Sequence, residues 1–186
     1  MDRETYDRVT NVLWPFSGLQ NVPKEILMAK AEIGTDVHNI IEGILNGLGE
    51  PTDMGAATPY VESFKLWWGN GKPIVSTETR LFDDSLRITG KYDLIYKSED
   101  KVRLCDWKIS VKESNTWVLQ GSAYAHLSEL NGLFVDEIEF VKLSKKGDMP
   151  KVYHYSKDIQ AFLSCLQMYR RFFMKMPTWN ELIEDL

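Results

Sequence analysis

From Pro23 to about Leu48 the apolar positions Ile26, Leu27, Ala31, Ile33, Val37, Ile40, Ile41, Ile44, Leu45 and Leu48 recur at steps of three and four. That period predicts one or two helices stopped at Gly47 or Gly49. Thr58 to Trp68 predicts another, with Thr58 as N-cap, Pro59 in the first turn and Gly69-Asn70-Gly71 as the stop. The period then changes to two. Ile74–Leu81, Leu86–Tyr96 and Val102–Ile109 are rich in β-branched and aromatic residues and are separated by the short polar turns Asp83-Asp84-Ser85 and Ser98-Glu99-Asp100, which predicts an antiparallel meander. A helix follows from a cap at Ser114 or Asn115 to Leu130, stopped by Asn131-Gly132. Strands at Glu137–Leu143 and Lys151–Tyr155 and an amphipathic helix from Lys157 to about Met174 complete the chain.

The expected fold is therefore α/β in the broad sense (α+β): one mixed central sheet containing a three-stranded antiparallel meander, flanked by helices. With 186 residues and no repeat or linker, one domain is expected over 1–186. Its parts are a helical segment 1–70, a sheet with one helix over 72–156, and a C-terminal helix over 157–176.

Composition changes this picture little, but charge changes it more. No apolar run reaches the roughly 18 residues a membrane span needs, and the N-terminal residues lack the layout of a signal peptide, so a cytoplasmic protein is expected. Two cysteines, Cys105 and Cys165, are too few for a disulfide framework, a four-cysteine zinc site or an iron–sulfur cluster. The net charge of −5 argues against a protein that coats nucleic acid. Between residues 140 and 175, however, eight Lys or Arg face only Asp148 and Asp158, a local +6 that includes Lys145 and Lys146. This stretch is either a solvated surface or a phosphate-facing one.

The third β run reads Val102-Arg103-Leu104-Cys105-Asp106-Trp107-Lys108-Ile109. Alternation puts Asp106 and Lys108 on one face of a strand that should be central and buried, where charges need partners. An Asp-x-Lys pattern arises by chance in roughly half of chains this long, and a structural ion pair is the plain explanation. Position adds weight. If Glu99-Asp100 is the hairpin apex, Asp93 lies opposite Asp106 and Lys91 opposite Lys108. Facing aspartates are repulsive unless a divalent cation lies between them, and hard oxygen ligands suit Mg²⁺ or Mn²⁺. A cation with a nearby ammonium suits phosphoryl transfer. His38, by contrast, is by itself an ordinary helical histidine, and Gln120 and Tyr124, one turn apart, are by themselves surface and core residues.

The ordered set Gly34-x-x-x-His38, Glu78, Gly90-x-x-Asp93, Asp106-Trp107-Lys108 and Gln120-x-x-x-Tyr124 resembles the RecB-like branch of the PD-(D/E)XK nucleases. The likeness is to its short stand-alone members, the phage-type exonucleases and the mitochondrial genome maintenance exonuclease, and spans Val9 to Tyr124. Val9-Thr10-x-x-Leu13 and Tyr60-x-x-Ser63-Phe64 are similar as well.

The resemblance implies a restriction-endonuclease-like core and an Mg²⁺- or Mn²⁺-dependent deoxyribonuclease. His38, Asp93, Asp106 and the Trp107 backbone carbonyl would bind metal, and Lys108 would be the catalytic lysine. Glu78 matches an acidic position of varying role, and Gln120 and Tyr124 would support the site or touch DNA. Asp106 stands where many relatives have Glu, and iron–sulfur relatives need cysteines this chain lacks. The implied substrate is DNA, in recombination and repair; because the helical segment Pro23–Trp68 supplies His38, it should lie across the mouth of the site and narrow it, so a threaded single strand with a free end is expected over a duplex. A helicase or recombination protein would do any unwinding, in the cytoplasm or, for a phage protein, that of the host. An endonuclease, or a catalytically silent DNA-binding scaffold, are the alternatives on the same fold. Trp67, Trp68 and Trp117 are expected either to stack on bases or to be core.

Overall fold

The structure, a computed structural model, describes residues 5–110 and 112–174. In chain order it contains β1 (Asp7–Arg8), α1 (Val9–Leu13), α2 (Lys24–Leu45), α3 (Thr58–Trp68), β2 (Ile74–Thr77), β3 (Arg80–Asp83), β4 (Ile88–Lys91), β5 (Leu94–Ser98), β6 (Lys101–Lys108), α4 (Thr116–Leu130), β7 (Glu137–Lys142), β8 (Lys151–Tyr155) and α5 (Ile159–Met168). A π-helical stretch Tyr169–Phe173 continues α5. Residues 175 and 176 of the expected last helix lie outside the described residues.

The period-three-to-four segment is one 22-residue helix, and Gly47, with φ at 75°, is a residue beyond its end suited to a left-handed turn. Thr58 does not cap α3 as expected. It is the first helical residue, and its hydroxyl donates backward to the Gly55 carbonyl at 2.9 Å.

The fold is mixed α+β, but with two mixed sheets rather than the single one expected. A five-stranded sheet runs β2-β5-β6-β7-β8 and a three-stranded sheet runs β1-β4-β3. The β6–β7 and β1–β4 pairs are parallel, and the others antiparallel. Two predicted strands are therefore each two strands. Ile74–Leu81 breaks at Glu78-Thr79 and Leu86–Tyr96 breaks at Tyr92-Asp93, the halves going to different sheets. Alternating apolar residues mark a pleat without naming its partner, so the breaks left no mark in the pattern.

The central strands β5, β6 and β7 of the large sheet are buried on both faces, while its edge strands are more exposed. Leu94, Tyr96, Cys105, Trp107 and Val141 pack under Val37 and Ile41 of α2 and Tyr60, Val61 and Phe64 of α3. On the other face Ile95 and Leu104 share a core with Ala123, Tyr124 and Leu127 of α4 and Phe162 and Leu166 of α5. Trp117 stacks on Phe140, and Trp67 and Trp68 pack on Phe64. Trp117 takes the core alternative, and Trp67 and Trp68 lie partly buried against the core. Two close approaches set how α4 lies. A Cβ on Gly121 would come within 2.3 Å of Ile138, and one on Gly90 within 2.6 Å of the Tyr124 ring. Among the described residues no helix is long and apolar enough to cross a membrane.

Candidate active site

The β5–β6 register is the expected one. Leu94 pairs with Cys105 and Ser98 with Lys101 across Glu99-Asp100, so Asp93 comes just past the last pair, level with Asp106. The expectation that Lys91 faces Lys108 fails, because Lys91 ends β4 in the other sheet and pairs with Arg80. Lys108 instead has Lys142 of β7 as its neighbour.

Both strand breaks deliver a carboxylate to one place. Glu78 adopts φ 46° as the chain leaves β2, and its backbone N–H donates to the Asp93 carbonyl at 3.1 Å. Positive φ in a residue that is not glycine is strained and is found where surrounding structure imposes it. From α2, His38 reaches the same point, its Nδ1 3.1 Å from Asp93 Oδ1. Ligand atoms of His38, Glu78 and Asp93 lie within 4.8 Å of one another. Asp93 Oδ2 accepts from the Trp107 backbone N–H at 2.8 Å, which ties the break to β6.

Asp106 lies outside that three-residue group but next to it. Its side chain is 3% exposed, its Oδ1 pairs with Lys108 Nζ, and its Oδ2 accepts from Gln120 Nε2 at 3.2 Å. The Oδ1–Lys108 contact is not aligned as a hydrogen bond, which leaves a buried oxygen incompletely satisfied. Gln120 Nε2 also donates to the Tyr124 hydroxyl at 3.1 Å, so this α4 pair braces Asp106. Lys108 Nζ lies 5.3 Å over the Phe140 ring. The Trp107 side chain points to the opposite face, into Phe64 and Trp67.

The electrostatics point one way. Burial pushes Asp106 up to about 6, with Lys108 opposing that shift and Asp93 adding to it. Glu78 is also raised, first by burial and then by Asp93, against its ion pair with Lys91. Burial would lower His38, but Asp93 and Asp106 outweigh it and the imidazole holds its proton more tightly than usual. Three crowded carboxylates with an imidazole and two ammonium groups form a site that a divalent cation would relieve of repulsion and desolvation. One nitrogen and several hard oxygens are a fitting donor set for such an ion.

Sequence reasoning missed three features: the Lys91–Glu78 ion pair, Phe140 beneath Lys108, and the fit of Gly90 against Tyr124. Only Gly90, noticed as a motif member, left a signal. Lys145 and Lys146 are away from the carboxylates, on the wall of a cleft of about 320 Å³ beyond the end of β6. Two other members of the basic stretch are held in ion pairs. Lys157 pairs with Glu129 and Arg170 with Asp7.

This fold and site define a mixed α+β protein with a partly buried histidine–carboxylate cluster able to hold a metal ion. No protein-family model matches the chain, and no curated protein matches it. Among solved structures, one from Eubacterium rectale, named provisionally as an exonuclease, aligns with a TM-score of 0.56 at 12% identity, covering 91% of this chain and 81% of that one. The two share a fold. A second structure, SSO0001, aligns with a TM-score of 0.41 at 14% identity over 54% of this chain and 50% of that one, so the match spans half of its length.

Proposed function

We propose that this chain is a metal-dependent deoxyribonuclease of the PD-(D/E)XK type, RecB-like, acting as an exonuclease on single-stranded DNA ends with Mg²⁺ or Mn²⁺. The observation that carries the reading is the placement of Asp106 and Lys108 on one face of a buried strand, with Asp93, His38 and Glu78 brought beside them from three other elements. The E. rectale structure, with its provisional exonuclease name, supports the same class.

His38, Asp93, Asp106 and the Trp107 carbonyl would hold the ion, with Glu78 alongside. The bound cation would supply Lewis-acid polarisation of the phosphodiester and make a water more acidic. The chain's own groups do the rest. Asp106 holds Lys108 Nζ at the edge of the cluster, where the ammonium orients the attacking water and offsets negative charge on the phosphoryl oxygens. Water adds to phosphorus, a P–O bond to one sugar breaks, and the departing sugar oxygen takes a proton. Gln120 keeps Asp106 from rotating away, and Tyr124 keeps Gln120 in place.

The test is incubation with end-labelled linear single strands and covalently closed circles in Mg²⁺, Mn²⁺ or EDTA. Label should leave linear strands with either metal, not in EDTA, while circles persist. Equal cleavage in EDTA would sink the metal mechanism. Linearisation of circles as fast as label is lost would make the protein an endonuclease, and DNA binding without cleavage under any metal would make it a scaffold.

A further inference from the structure

The cleft beyond β6 is lined by Lys30, Lys142, Lys145, Lys146 and Lys151, and among the described residues none lining it is acidic. Five cations around one cleft, in a chain of net charge −5, concentrate positive potential where the rest of the surface opposes it.

The lysines are positioned rather than scattered. Lys145 and Lys146 are the central residues of a turn closed by the Gly147 N–H on the Ser144 carbonyl at 3.2 Å, with Gly147 at φ 76°. The Lys146 N–H also donates to Ser144 Oγ at 3.2 Å, and the Ser144 N–H donates to Ser63 Oγ of α3 at 2.9 Å, which anchors the turn to the helical layer. Glu62, whose Cβ would lie 3.7 Å from a Cβ on Gly147, pairs with Lys65. Lys30 leans on Tyr60, its Nζ 3.4 Å from the hydroxyl, and Lys151 on the Tyr153 ring.

The cleft is wired to the metal-type cluster by backbone. Ile109 and Ser110, which follow Lys108, form part of its wall, and the Leu143 N–H donates to the Lys108 carbonyl at 2.8 Å. Helix α2 joins the two sites as well. Lys30, Gly34 and His38 lie at successive four-residue steps on one face, with Lys30 in the cleft, Gly34 where an added Cβ would come 3.7 Å from Ile109, and His38 in the cluster. Eight residues of helix span about 12 Å. A stacked strand rises about 3.4 Å per nucleotide and an extended single strand further, so that distance is roughly two to four nucleotides.

We propose that this cleft is a strand-holding subsite. It takes consecutive backbone phosphates of a single DNA strand about two to four nucleotides from the bond positioned at Lys108, with Tyr60, Ile109, Leu143 and Met149 giving the sugars and bases an apolar wall. Its volume is at the lower end for pockets that enclose small ligands, which suits a stretch of single strand and not a duplex. The inference deepens the nuclease reading and rests on it for the identity of the strand, so binding and hydrolysis are measured separately.

Fluorescence anisotropy in EDTA, with labelled oligothymidylates from the dinucleotide to about twelve residues, reads binding without cleavage. Wild-type affinity should climb with length until the strand spans the cleft, at about four nucleotides, and then level off. The double variant Lys145→Gln/Lys146→Gln should lose that gain. Its plot of log affinity against log salt should be flatter by about 1.4, near 0.7 for each phosphate contact on a single strand. Lys145→Arg/Lys146→Arg should restore the slope, which rules out a folding defect. An unchanged slope in the Gln variant would overturn the subsite. Inorganic tripolyphosphate binding as tightly as the long oligonucleotide would assign the cleft to free polyphosphate instead. Length-dependent binding without hydrolysis would keep the subsite and sink the nuclease, and hydrolysis with binding indifferent to both lysines would do the reverse.

Discussion

Lys108 and Asp106 differ in what their loss should do, because an ammonium cannot ligate a cation whereas a carboxylate can. Lys108→Ala is expected to retain metal and DNA binding and to lower turnover at least about 100-fold, the scale of removing one electrostatic or acid–base group. Near-normal turnover would reduce the Asp106–Lys108 pair to structure. Asp93→Ala and Asp106→Ala should each lose cation affinity in a calorimetric titration, and unchanged affinity in both would move the ion elsewhere. On the proposed reading Gln120, which hydrogen-bonds Asp106, is a positioning residue. Glu78 pairs with Lys91 and sits at a strained backbone position beside Asp93.

At the level of elements, the fit of α4 against both sheets decides whether the site forms. Gly121→Ala should cost about 1–3 kcal/mol in a denaturant titration, since its Cβ meets Ile138 and Phe140 in a packed core. Gly90→Ala should cost a similar amount and also reduce turnover, because displacing Tyr124 unseats Gln120 from Asp106. Equal turnover per folded molecule would show that the brace is dispensable. The β3–β4 turn carries a different test. Burial would raise Asp83, but hydrogen bonds from Ser85, Leu86 and His126 outweigh it and hold its carboxyl below the ordinary value. A group depressed on folding contributes stability that is present above its unfolded value, near 3.9, and is lost as pH falls through the folded one. Melts of wild type and Asp83→Asn should therefore differ at neutral pH and converge below about pH 4. A constant gap would mean that the turn is held by shape alone.

Across the whole molecule, charge is sorted by task. Among the described residues, carboxylates collect at the strand breaks and lysines at a separate cleft beyond β6, while Lys157 and Arg170, on either side of α5, pair with Glu129 and Asp7. A cation that binds only the folded chain should stabilise it by about 2.7 kcal/mol at a hundred times its Kd. For a chain of this size that is a rise in Tm of roughly 5–10 °C. Thermal melts with Mg²⁺ or Mn²⁺ should show the rise in wild type and not in Asp93→Ala. A rise of equal size in both would mean that the ion acts outside the cluster.

Local physics made much of this legible before any fold was known. Strand alternation put Asp106 and Lys108 on one face, the polar apex at Glu99-Asp100 set the hairpin register that brings Asp93 level with Asp106, and glycine stops marked where α2, α3 and α4 end. These features depend on neighbours within a few residues, which is the range over which a backbone's period and turns are set. The sheet to which each half-strand belongs is not such a feature. A pleat with an apolar face satisfies either sheet equally, so the switches at Glu78 and Asp93, the pairing of Lys91 with Glu78 instead of facing Lys108, and the cleft assembled from Lys30 and the 144–147 turn were decided only when the helical layers closed over both sheets. His38 shows the division most plainly. On the helix it is one polar residue among many, and only the packing of α2 across β5 and β6 brings it to Asp93, 55 residues away in the chain.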